Sequence, residues 1–123
     1  MGWQFLAAVL GFLAVAAGAF GAHALRERLS PGDLDIFETA ARYQMYHALA
    51  LWLAAMLSRK RRSAPLRGAC VSFAVGVIIF SGSLYLLVFT GVRQFGAITP
   101  IGGVALLLGW ALVAADALRR RPS

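Results

Sequence analysis

Four stretches of the chain contain no Asp, Glu, Lys or Arg: Trp3–Ala22, Tyr43–Ser58, Gly68–Val92 and Gln94–Ala115. A bilayer core of roughly 30 Å is crossed by about 20 apolar helical residues. Three of the stretches meet that length directly, and the second reaches it only with help from the segment before it. Hydrophobic residues make up 60% of the chain, against roughly 45–50% in ordinary soluble domains. The expected fold is therefore an all-α membrane protein, a compact bundle of four transmembrane helices. They are expected at about residues 3–22, 34–58, 68–91 and 98–118, within one membrane domain spanning 1–123.

A net charge of +7 would suggest nucleic acid as a partner in a soluble chain. Here the basic residues border the apolar stretches, in "RKRRSAPLR" and "RRRPS", so they are assigned to the positive-inside rule and nucleic acid is excluded as a partner. With four helices and both termini on one side, Arg59, Lys60, Arg61, Arg62, Arg67, Arg119, Arg120 and Arg121 fall together, and Arg26, Arg28, Arg42 and Arg93 fall opposite. This imbalance predicts cytoplasmic termini in a bacterial inner membrane. The run "AVAAGAFGAHA" resembles a signal-peptide cleavage region, but no basic residue precedes the apolar run and its length suits a span, so it is read as the first helix. The single cysteine, Cys70, has no disulfide or metal-spacing partner.

Small residues mark the expected contact faces. Ala7, Gly11, Ala14, Gly18 and Ala22 share one face of the first helix at about 100° per residue. Ser72, Gly76, Ser83 and Thr90 do so on the third, and Gly102, Ala105 and Gly109 on the fourth. In lipid, where helices gain little from excluding apolar surface, such faces let backbones approach closely.

Between the first two helices, "SPGD" offers Ser30 as an N-cap, Pro31 at a first helical position and a turn at Gly32. From Asp33, the pattern Leu34, Ile36, Phe37, Ala40, Ala41 reads as a short amphipathic interfacial helix, separate from the second helix or continuous with it. Pro65 is expected to mark the turn of the next loop, and "GVRQFG" a tight hairpin whose Arg93 snorkels to the headgroups. Thr99 is expected to cap the fourth helix, with Pro100 in its first turn.

The polar residues within this apolar frame form the candidate site: His23, Glu38, Arg42, Tyr43, Gln44, His47, Ser81, Ser83 and Tyr85. Glu38 and Arg42, at i,i+4 spacing, form an interfacial charge pair or bind a polar ligand or partner. His47 is deep enough that its ring must be hydrogen-bonded. Its candidate partners are Tyr43, Gln44, His23, Ser81, Ser83 and Tyr85. Asp116 is expected to anchor Arg119, Arg120 or a loop arginine. No complete metal ligand set, cofactor motif or catalytic constellation is present, so neither metal nor cofactor is assigned and no enzyme is expected.

"GAFGAHAL", "TAARYQMYHALAL", "FSGSLYLL" and "GAITPIGGVALLLGWALVA" together resemble the small bacterial membrane family called domain of unknown function 423, related to eukaryotic transmembrane protein 256. The resemblance covers roughly residues 2–117. It implies a four-helix integral membrane protein and no established activity. It draws attention to Gly18, Gly21, His23, Tyr43, Gln44, His47, Ser81, Gly82, Ser83, Tyr85, Thr99, Pro100, Gly102 and Gly103, which lie in the matching blocks. Three functions compete. The first is a non-enzymatic accessory that binds lipid, another membrane protein or a second copy of itself. The second is a minimal transporter or channel with a polar path along Tyr43, Gln44, His47 and the "SGS" turn. The third is a redox-complex subunit that contacts haem or quinone through His23 or His47.

Overall fold

The computed structural model describes residues 2–120. They form helices and no strand. Helix α1 runs Gly2–Leu25 with a π-helical interior at Ala16–Gly21, α2 is Pro31–Lys60, α3 is Ala64–Thr90, and α4 is Thr99–Arg119, preceded by a 3-10 turn at Arg93–Ala97. Three segments are long and apolar enough to cross a membrane: Gly2–Leu25, Ala64–Thr90 and Arg93–Arg119. Asp33, Asp35, Glu38 and Arg42, followed by the polar Tyr43, Gln44, Tyr46 and His47, make α2 less apolar than these three.

Each helix packs against the next in sequence, and the α3–α4 contact is the most extensive. Two bonds fix which ends lie together. Arg59 donates to the Gln4 side chain at 2.7 Å, and Asp116 accepts from Arg61 at 2.7 Å. The start of α1, the α2–α3 loop and the end of α4 thus share one end of the molecule, while Asp33 pairs with Arg93 at 3.3 Å at the other. Arg121, counted with the first group, lies outside the described residues.

The interhelical spacing is set by glycines. A Cβ on Gly102 would lie 2.4 Å from the Phe80 backbone nitrogen and 2.8 Å from its Cα, so the two backbones are in contact. Along the antiparallel pair in one direction, Gly76 receives Leu106 one turn on, and Gly109 receives the Phe73 ring two turns on. The α1–α2 contact is looser, with added Cβ atoms on Gly11 and Gly18 only reaching Ala48 and Ala41 at 3.9 and 3.8 Å. Around these contacts, Leu10, Leu51, Phe73, Val77 and Leu106 form one buried cluster, and Ala22, Phe37, Leu87 and Val88 form a second toward the Asp33–Arg93 end.

The helix boundaries correct several expectations. Ser30 does cap α2, accepting from the Asp33 amide at 3.1 Å, but α2 starts at Pro31, so Gly32 is helical and makes no turn. The amphipathic stretch forms the first turns of α2 with no break before Tyr43. Pro65 also sits inside a first helical turn, where its missing N–H leaves no bond unmade; the loop is only Arg61–Ser63, and Ser63 caps α3. "SGS" lies within α3. Thr90 is exposed and leaves the packed face. Thr99 is itself helical and caps nothing, because its hydroxyl is spent on Ser83. Arg93 pairs with Asp33 while most of its side chain stays exposed. Gly91, at φ 72°, ends α3 in the left-handed region that favours glycine.

Gly102→Ala is expected to destabilise the fold by about 1–3 kcal/mol, the usual cost of overpacking. Gly103→Ala, whose added Cβ would meet Phe80 only at 3.9 Å, should change little. Unfolding in mixed detergent micelles reads both, and equal effects would contradict a backbone contact specific to Gly102.

Candidate functional site

The polar residues resolve into separate stations, each joining particular helices. Gln44 on α2 is buried and reaches two neighbours. Its Nε2 donates to the Leu10 carbonyl of α1 at 2.8 Å, and its Oε1 accepts from the Tyr85 hydroxyl of α3 at 2.8 Å. Only one orientation of the amide satisfies both bonds, since a donor faces the carbonyl and an acceptor faces the phenol. A short way along α2, Ser81 donates to the Ala40 carbonyl at 2.8 Å. Ser83 turns the other way, pairing with Thr99 of α4 at 2.5 Å while donating to its own helix at Phe80.

His47 forms the second station. Its Nδ1 lies 2.8 Å from the Tyr43 carbonyl, and its Nε2 lies 3.1 Å from the indole nitrogen of Trp110. A carbonyl can only accept and an indole N–H can only donate, so the ring must carry its proton on Nδ1 and present a lone pair at Nε2. A doubly protonated ring would set two N–H groups against each other at Trp110. The Tyr43 side chain makes no bond to His47; it stacks on Phe80 with centroids 4.8 Å apart. The phenol–imidazole pairing considered from the sequence is thus replaced by a backbone carbonyl one turn back. Trp110, half exposed, is a partner that the sequence alone does not name; its only cue is that an indole N–H in an apolar setting ordinarily seeks an acceptor.

The third station is ionic. Asp116 is 2% exposed and accepts from Ser63 at 2.6 Å, Arg61 at 2.7 Å and Arg120 at 3.4 Å. The expected loop arginine is Arg61. Ser63 is an additional partner, and its cue in the sequence is "RRSAP", which places a hydroxyl two residues before a proline, a common helix-start pattern.

The remaining candidates lie elsewhere. His23 is exposed near the end of α1, 3.5 Å from Arg26, and shares no partner with His47. Glu38 and Arg42 form a loose, exposed ion pair of 3.7 Å. Together with Gly18, Ala19 and Met45 they line an open groove of about 450 Å³ between α1 and α2. A second groove of about 490 Å³ is lined by Tyr43, His47, Phe80, Gly103 and Trp110. No group of three His, Cys, Asp or Glu side chains is near enough to hold a metal among the described residues.

The chain matches the model of the family described as "Protein of unknown function (DUF423)" over residues 17–103. It belongs to this family. Relatives extend the match beyond that span. A UPF0382 membrane protein of Staphylococcus aureus is 44% identical over 88% of each chain. The UPF0382 inner membrane protein YgdD of Escherichia coli is 40% identical over 92% of this chain and 86% of its own length. The UPF0382 membrane protein YwdK of Bacillus subtilis is 40% identical over 93% and 94%. No solved structure matches the chain. Within this DUF423 chain, the matched region takes in the Gln44, His47 and Ser81–Ser83 stations and Gly102, but stops short of Trp110 and Asp116.

A double-mutant cycle tests the first station. Gln44→Ala and Tyr85→Phe should each destabilise the protein, with a coupling energy of about 0.5–1.5 kcal/mol, the range for side-chain hydrogen bonds between membrane helices. Additive effects in detergent unfolding would mean that the two side chains do not meet.

Proposed function

We propose that this chain is a non-enzymatic accessory of the bacterial inner membrane, a bundle of four spans that holds a lipid or another membrane protein against its outer faces. The observation that carries the reading is how completely the interior polar groups are engaged. Among the described residues, the only fully buried side-chain nitrogen or oxygen without a partner is Arg61 Nε. Gln44, His47, Ser81, Ser83 and Asp116 are all spent on joining helices. Chemistry at the centre of the bundle would first have to break its own fastenings. The open grooves between helices remain available.

The same bonds give the transporter reading no support. Gln44 faces α1 and α3 whereas His47 faces α4, so the two do not line a common path. The redox reading named His23 or His47; both His47 nitrogens are engaged, which leaves it only His23, exposed near the end of α1 and 3.5 Å from Arg26.

α2 is taken as the fourth span because it lies between α1 and α3 and has no charge from Tyr43 to Ser58. The basic cluster at the Asp116 end is taken as cytoplasmic under the positive-inside rule. A C-terminal fluorescent-protein fusion should therefore glow, and a C-terminal alkaline phosphatase fusion should be inactive; the reverse pattern would invert the topology. For the function itself, a tagged copy extracted from native membranes in mild detergent should bring down one near-stoichiometric membrane protein or a defined lipid, as read by mass spectrometry. Recovery of the bare protein with flux activity in liposomes would overturn the accessory reading.

A further inference from the structure

The α1–α2 face carries two grooves that join end to end. The one beside Glu38 and Arg42 shares Val15 and Met45 with a second, of about 530 Å³, that continues along Gly11 and Ala48 to Trp52. The first has the only charged side chains in this path. The second is apolar along its length, lined by alanine, glycine, valine, leucine, methionine and aromatic residues. From Arg42 to Trp52 the helix rises about 15 Å at roughly 1.5 Å per residue, half of a hydrocarbon core of about 30 Å. The depth is therefore that of one leaflet, with the charges at its headgroup end.

Two features keep this path open. Ala7, Ala8, Gly11 and Ala16 of α1 line it with no more than a methyl group each. The α1 backbone also widens beside it into the π-helical turns of Ala16–Gly21, where the Ala22 amide reaches back five residues to the Ala17 carbonyl. Such π segments recur at functional positions.

The geometry points to a phospholipid bearing a primary ammonium headgroup, of the phosphatidylethanolamine type, seated in this groove in the leaflet at the Asp33–Arg93 end. The inference rests on the accessory reading and names its ligand. Arg42, whose side chain is 58% exposed, meets the phosphate, while Glu38, at 39%, accepts from the ammonium. The lipid headgroup repeats, with opposite sign, the charge pair it displaces. An acyl chain then follows Met45 and Ala48 toward Trp52. Phosphatidylcholine offers the same charges but no N–H for Glu38. Phosphatidylglycerol leaves Glu38 facing an anion without a cation to balance it.

The test uses the full-length protein, stripped of lipid in detergent and titrated with palmitoyl-oleoyl phosphatidylethanolamine, phosphatidylcholine or phosphatidylglycerol, with bound lipid counted by native mass spectrometry. One phosphatidylethanolamine should bind about tenfold more tightly than either of the others, the scale of one charge-assisted hydrogen bond. Glu38→Gln should reduce phosphatidylethanolamine to the phosphatidylcholine level. Ala8→Phe, an exposed substitution that fills the apolar part, should weaken all three, with helix content and Tm kept in both variants. Equal retention of the three lipids, a preference that survives Glu38→Gln, or no bound lipid would each overturn the assignment. Recovery of a membrane partner from cells is read in parallel. A partner retained by both variants alongside a failed lipid titration overturns the lipid seat and leaves the accessory function standing. A partner lost with Ala8→Phe while lipid shows no preference gives the groove to a protein helix instead.

Discussion

The contact between the Gly102 and Phe80 backbones determines how the rest of the molecule is arranged. Lipid is as apolar as the helix surfaces, so exclusion of apolar area gives little drive toward association, and dispersion and hydrogen bonds at short range must supply it. Where α3 and α4 touch backbone to backbone, neighbouring side chains come within bonding distance. Ser83 reaches Thr99, and the Phe73 ring fits over Gly109 and meets Trp110 edge-on at 5.2 Å. Trp110 is thereby held where its N–H meets His47 of α2. A side chain at position 102 would push these partners apart together, which is why one missing methyl group governs several polar bonds elsewhere.

A second principle is division of labour along α2. Over the turns from Ala40 to His47 it lends a carbonyl to Ser81, an amide to α1 and α3 and an imidazole to α4. No two of these bonds share a partner. The crowding of polar residues in "ARYQMYHALAL" thus reflects a helix in contact with three others, with each hydrogen-bonding side chain facing a different one. The exposed Glu38–Arg42 pair stands apart from this internal work, on the face where α1 fits most loosely.

Much of this frame was legible in the residues. Charge-free windows locate three apolar spans, and the glycines of "PIGGVALLLG" announce a close helix contact because a small residue at that spacing has few other uses in lipid. Helix ends were harder to read. Gly32 and Pro65 look like turn markers, yet each occupies a first helical turn, and the choice depends on whether a preceding serine finds an amide to cap. Partners far apart in sequence were harder still. That His47 needed a hydrogen bond followed from its depth, but that it came from Trp110, 63 residues on, depends on how two helices rotate about their axes, which no single periodicity records. Ser63 and Asp116 pose the same problem across 53 residues.

That last pair bears on the order in which the molecule is completed. The cap of α3 and the carboxylate at the end of α4 share one hydrogen bond, so the three-residue loop at Arg61–Ser63 gains its counter-charge only when the final turn of α4 is in place. During synthesis from the N-terminus, α1, α2 and α3 are all made while Arg61 still lacks its carboxylate. The last helix therefore acts as the latch of the assembly, and a ribosome that stalls or stops before residue 116 releases a bundle whose basic end is unfastened.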